Sequence, residues 1–182
     1  GRGLFCAGIR AAEKKGAGAG FAAKIKLKEA RDIVARYKSL RIPADPAKQK
    51  RAVNDKINAL AQVTKALGDV IKLDSAEEIV SALALLGESN QNMVDAIKNT
   101  PLPAGLTEDQ KKQYSEGLKK ITDPFQQKAR ESYKLAMDRG QELETYTPDY
   151  QKARSYMSQV DPTVYDGSEI SYDGNFIDWM RR

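Results

Sequence analysis

The sequence predicts an all-α chain of stacked antiparallel helical hairpins with a mostly irregular C-terminal tail. Three observations carry that expectation. Apolar residues recur at three- and four-residue spacing through most of the 182 positions, while alternation of period two is scarce. Helix-start and helix-stop signals punctuate the chain at intervals of one helix length. Short connections join the successive apolar stretches, which sets neighbouring helices side by side as hairpins. A composition of 41% hydrophobic and 30% charged residues supports a modest core under a solvated surface.

The elements follow in order. Leu4, Phe5, Cys6 and Ile9 form an apolar patch too brief for a signal-peptide core, and it reads as the end of a preceding helix. Gly16, Gly18 and Gly20 then interrupt it, so residues 1–20 are expected to be a helix end plus a Gly-rich linker. The opening residue is Gly, which reads as a processed or trimmed chain. From about Ala22 to Arg41, Leu27, Ala30, Val34, Tyr37 and Leu40 place one apolar face on a helix whose opposite face is basic.

Asp45-Pro46 is a strong helix start, because the carboxylate accepts from orphan amides while Pro fits the first turn. The helix is expected to run to about Leu73, with Val53, Ile57, Leu60, Leu67 and Ile71 as its buried stripe. Ser75 with Glu78 has the form of a capping box and opens a third helix carrying Ile79, Leu83, Leu86, Val94 and Ile97. Pro101, Pro103 and Gly105 stop it near Thr100.

Thr107 with Gln110 repeats the capping-box signature ahead of Tyr114, Leu118, Ile121, Phe125, Ala129, Tyr133, Ala136 and Leu143. Asp123-Pro124 lies mid-stretch, but the apolar phase continues through it, which favours one kinked helix or a closely abutting pair. Thr147-Pro148 starts a last short helix through Tyr150, Ala153 and Met157 to about Val160, and Asp161-Pro162 ends it. Residues 21–162 are therefore read as the helical array. Residues 163–182 are read as an extended tail mixing Asp166, Glu169, Asp173 and Asp178 with Tyr172, Phe176 and Trp179.

Charge is uneven along the chain. Residues 1–56 hold 15 Lys and Arg against 5 Asp and Glu, a net +10, and the remainder nets −5. A basic segment serves nucleic acid, an anionic membrane or an acidic protein, and Lys along a helix also serves simply as a solvated face. Lys24, Lys28 and Arg31 share one helical side and are the candidate contacts for such a partner. Tyr172, Phe176 and Trp179 are candidate partner contacts at the other end, docking on the chain's own basic region or on a neighbouring copy.

The sequence carries no His, which removes the commonest general base, the usual zinc ligand and every imidazole-based triad. Its single cysteine, Cys6, cannot close an intramolecular disulfide and reads as a small buried hydrophobe. Acidic pairs such as Glu77 with Glu78 lie at helix starts, where the dipole already accounts for them. No catalytic, cofactor-binding or metal-binding set is expected.

Leu83, Leu86 and Gly87, followed after a long connection by Ala129, Tyr133 and Ala136, resemble the two halves of a tetratricopeptide repeat. In that motif Leu-Gly lets two helices approach and the Ala, aromatic, Ala series packs the second against the first. The stretch from Asn99 to Ala136 is similar to an expanded form of the repeat seen in envelope-associated proteins of predatory and gliding bacteria. The likeness covers about residues 24–162. Leu83 stands where the common motif has Trp, and Asn90 where it has an aromatic. The resemblance implies an α-solenoid fragment acting as a protein-interaction scaffold of the periplasm or outer membrane, with a cytoplasmic location as the alternative. Its partners would be other proteins or copies of itself, with no cofactor or small-molecule substrate and only peripheral membrane association. Binding of nucleic acid or anionic membrane through the basic first third is the competing reading.

Overall fold

The computed structural model describes residues 2–102 and 105–163. Its elements are α1 (Arg2–Ser39), α2 (Pro46–Ile71), α3 (Ala76–Lys98), α4 (Glu108–Glu142) and α5 (Pro148–Val160). The described chain is all-α, as the periodicity predicts. No helix among the described residues is long and apolar enough to cross a membrane.

Most helix boundaries follow local side-chain chemistry. The Asp45 carboxylate accepts from the Ala47 amide at 3.0 Å ahead of Pro46. Thr107 and Gln110 close a full capping box in which the Gln110 side chain accepts from the Thr107 amide at 2.9 Å. Thr147 accepts from the Tyr150 amide at 3.2 Å. Ser75 departs from expectation. It stands at the N-cap, but its hydroxyl donates to the Glu78 carboxylate instead of accepting from the Glu78 amide, so the expected reciprocal box is not formed. With Glu78 only 3% exposed, its buried carboxylate takes the nearest available donor.

One predicted interruption is absent, and of the two arrangements expected at Pro124 the single helix is the one formed. α1 runs unbroken through Gly16, Gly18 and Gly20, where a linker was expected. A helical glycine costs about 1 kcal/mol relative to alanine, which weakens a helix without ending it. α4 likewise continues through Pro124 as one element of 35 residues. Proline removes one hydrogen bond from the ladder, and the apolar face on both sides of it holds the two halves in phase.

The packing is a stack of hairpins around α3. Each helix packs against the next along the chain, and α3 also touches α1 and α5, so α1, α3 and α5 form one layer. α2 and α4 form the second layer and make no close backbone approach to each other among the described residues. Two cores result. Ala30, Val34 and Tyr37 of α1 meet Leu60, Val63, Leu67 and Val70 of α2 and one side of α3. The other side of α3, through Val80, Leu83 and Ala84, meets Tyr133, Ala136 and Met137 of α4 and Tyr150, Ala153 and Met157 of α5. Serving both cores buries α3 on nearly every face.

The second layer corrects the expected stripes. On α2 the deeply buried positions include Val63 and Val70, together with Lys56, while Ile57 remains 38% exposed. On α4 Ile121 is 52% exposed, whereas Thr122 and Gly140 are buried.

Candidate functional site

Because α2 and α4 stand apart across α3, a groove opens between them. Leu86 and Asn90 of α3 form its floor, Ile57, Leu60 and Thr64 of α2 one wall, and Phe125, Lys128 and Glu131 of α4 the other. Its main section has a cavity volume of about 440 Å³. A second, smaller cavity of about 100 Å³ lies between the same helices toward the end of α3, lined by Val53, Ile97 and Ile121. Of the exposed stripe residues, Ile57 lines the larger cavity and Ile121 the smaller, while Leu40 and Leu143 line neither.

Its polar side chains are mostly engaged within their own helices. The Asn90 amide donates to the Leu86 carbonyl at 2.8 Å, and the Thr64 hydroxyl to the Leu60 carbonyl at 2.9 Å. Glu131 accepts from the Gln127 amide at 2.9 Å. What remains is a trough of mixed lining, in which Ile57, Leu60, Leu86 and Phe125 stand beside Lys128 and Ser132, suited to an amphipathic helix or an extended peptide. An aromatic at position 90, as in the common repeat motif, would occupy the floor that Asn90 leaves open.

The six candidate packing residues converge. Leu83, Ala129, Tyr133 and Ala136 are buried, Leu86 floors the groove, and Gly87 lies against the face of Tyr133. Tyr133 in turn packs on Tyr156 with ring centroids 4.4 Å apart, and the Tyr156 hydroxyl donates to the Gln91 side chain at 2.9 Å. Burial raises both phenols above their ordinary range, with the nearby Glu88 and Asp95 carboxylates adding to the effect at Tyr133.

The basic candidates do not form a single surface. Lys24 and Lys28 are exposed on α1, but Arg31 turns to the Asp149 carboxylate at the start of α5. That carboxylate is buried, so the pair ties α1 to α5 across α3 and withdraws Arg31 from the expected phosphate-binding face. Tyr172, Phe176 and Trp179 lie outside the described residues.

One constellation escaped the sequence reading. Lys56 is 1% exposed, and its ammonium donates to the carbonyls of Leu40 at 3.0 Å and Tyr37 at 3.3 Å while lying 4.4 Å from the Tyr37 ring centroid. A cation is thus bound to the carbonyls at the end of α1, where the helix dipole is negative. Burial, then the neighbouring Arg41 charge, lowers the Lys56 pKa. The Tyr37 hydroxyl donates to the Ser89 carbonyl at 2.9 Å, and burial raises its pKa. These contacts lock α1, α2 and α3 together. A lysine amid aliphatic residues gives no sequence signal for burial, since the ordinary expectation is a solvated head group.

No family model, curated protein or solved structure matches this chain.

Proposed function

We propose that this protein is a non-enzymatic interaction scaffold that receives a segment of a partner protein in the groove between α2 and α4. The observation that carries this reading is the trough itself, in which α2 and α4, each with an exposed isoleucine, flank a floor supplied by α3. An isolated exposed apolar residue needs no explanation, but Ile57 and Ile121 each line a concavity between the same two helices. The resemblance of the Leu83 to Ala136 region to a tetratricopeptide repeat supports the same reading, because such repeats present concave surfaces to peptides. That resemblance is also the basis for proposing membership of a bacterial envelope assembly in the periplasm or at the outer membrane.

Crosslinking with mass spectrometry in the source cells tests the proposal, comparing the native chain with an Ile57→Glu/Ile121→Glu variant. Both positions are exposed, so folding should survive with changes of about 0.5 kcal/mol or less per site. The expected result is a defined set of neighbours for the native chain that is lost in the variant. Identical neighbours for both, or chaperones alone, would reject the reading.

A further inference from the structure

We infer that residues 164–182 of this same chain are an internal ligand of the α2–α4 groove, which a partner must displace. The inference rests on the groove being the docking surface. It commits to this occupant on three grounds: apolar match, charge and reach.

The groove presents apolar side chains that the fold itself leaves uncovered. Phe176, Ile177, Trp179 and Met180 lie within five consecutive positions and supply a compact apolar complement. Charge agrees with that pairing. Lys128 lines the groove beside Glu131, whose carboxylate the Gln127 amide already engages, and Lys50 lies outside the lining, seven residues before Ile57 on the same face of α2. The segment brings Asp166, Glu169, Asp173 and Asp178 to those cations, and only its final two residues are basic.

The point of exit also fits. Tyr150 and Ala153 pack against the first half of α3, and Tyr156 reaches Gln91 in its second half, so α5 runs toward the end of α3. The smaller cavity, at Ile97 and Thr100, lies toward that same end. Trp179 is sixteen residues beyond Thr163, a span of roughly 50 Å when extended. Along α3 the groove covers Leu86 to Thr100, about 20 Å at the helical rise. The segment is long enough to round the end of the bundle and still lay its aromatic cluster in the trough. Partner binding then becomes a competition, and the apparent affinity falls by the fraction of time the groove is self-occupied.

The experiment uses the full chain. A photoreactive phenylalanine analogue placed at Phe176 should crosslink within one molecule to the peptides carrying Ile57 or Phe125. Trp179 is the sole tryptophan, so its emission reads the same contact. In Ile57→Glu/Ile121→Glu that emission should shift to the wavelength of the denatured chain. Crosslinks elsewhere, crosslinks only between two copies, no crosslinks, or an emission unchanged by the groove variant would each overturn the inference. A Phe176→Ser/Trp179→Ser chain separates the two proposals, because it should crosslink more of the groove-dependent neighbours than the native chain does. Groove-dependent neighbours without a tail crosslink sink the internal ligand alone. A tail crosslink with neighbours indifferent to the groove sinks the scaffold reading and the displacement with it, and leaves only the contact of the segment with the groove.

Discussion

Gly87→Ala tests the contact between α3 and α4. A methyl group at this position would sit 2.7 Å from Cγ and Cδ1 of Tyr133 and 2.9 Å from Cδ2, so it would press on the base of the ring and not on a movable tip. Tyr133 is 6% exposed and backed by Tyr156, which leaves the ring little room to retreat. Overpacking of this kind costs about 2–3 kcal/mol, and alanine recovers about 1 kcal/mol of helix propensity. The expected net loss is therefore about 1–2 kcal/mol, or roughly 2–8 °C in Tm for a chain of this size. Gly68→Ala and Gly117→Ala serve as controls, because both glycines are helical and nothing lies within 4 Å of the added carbon. Each should gain about 0.5–1 kcal/mol. The assay is urea unfolding followed by far-UV circular dichroism, repeated for Gly87→Ala in a Tyr133→Leu background, where the penalty should largely vanish. If Gly87→Ala stabilises the protein as much as Gly68→Ala does, the close approach of α3 and α4 is wrong.

The second core allows a parallel test. Gly140→Ala would drive its new carbon into the Tyr150 ring at Cδ2 and to 3.0 Å from the Thr145 backbone carbonyl, so it should cost at least as much, about 2–3 kcal/mol in urea unfolding. Lys56→Ala strips a buried aliphatic stem and takes the ammonium from the Leu40 carbonyl just past α1 and from the Tyr37 carbonyl, which keeps the Leu40 amide; a loss of about 2–4 kcal/mol is expected, with faster amide exchange near Leu40. Lys56→Met, which keeps the stem, should lose less, and equal losses would argue against the packing contribution. Alkaline pH supplies a last check. Tyr37, Tyr133 and Tyr156 have raised pKa values in the fold, so their contribution is complete below the ordinary tyrosine value of about 10 and declines above it, as the unfolded chain releases protons first. Lys56 acts oppositely, since its lowered pKa makes stability rise with pH just below its ordinary value, but it is one group against three. The urea midpoint should fall above about pH 10, together with the appearance of tyrosinate absorbance; a flat midpoint to about pH 12 would contradict the burial of these phenols.

The readable features of this chain were those encoded within a few residues. Asp45-Pro46, Thr107 with Gln110 and Thr147-Pro148 mark helix starts because each cap bonds to an amide two or three positions away. The roles of Gly87 and Tyr133 were expected only from the repeat resemblance, and the contact of that glycine with that ring comes from the structure. The lead-in glycines misled because they lower helix propensity without abolishing it. Ser75 misled because a buried Glu78 carboxylate competes for its hydroxyl, and that burial comes from helices distant in sequence.

Taken alone, the sequence determined the helices and most of their limits. It could not determine which apolar line of α2 is buried, because Ile57 and Val63 are equally suited to a core and both recur at helical spacing. Tertiary structure made that choice by holding α2 and α4 apart on the two flanks of α3. Burial belongs to pairs of surfaces, and the separation of two helices far apart in the chain is fixed by the element between them. That separation places Val63 in the core, turns Ile57 toward an open trough and draws Lys56 inward to the end of α1.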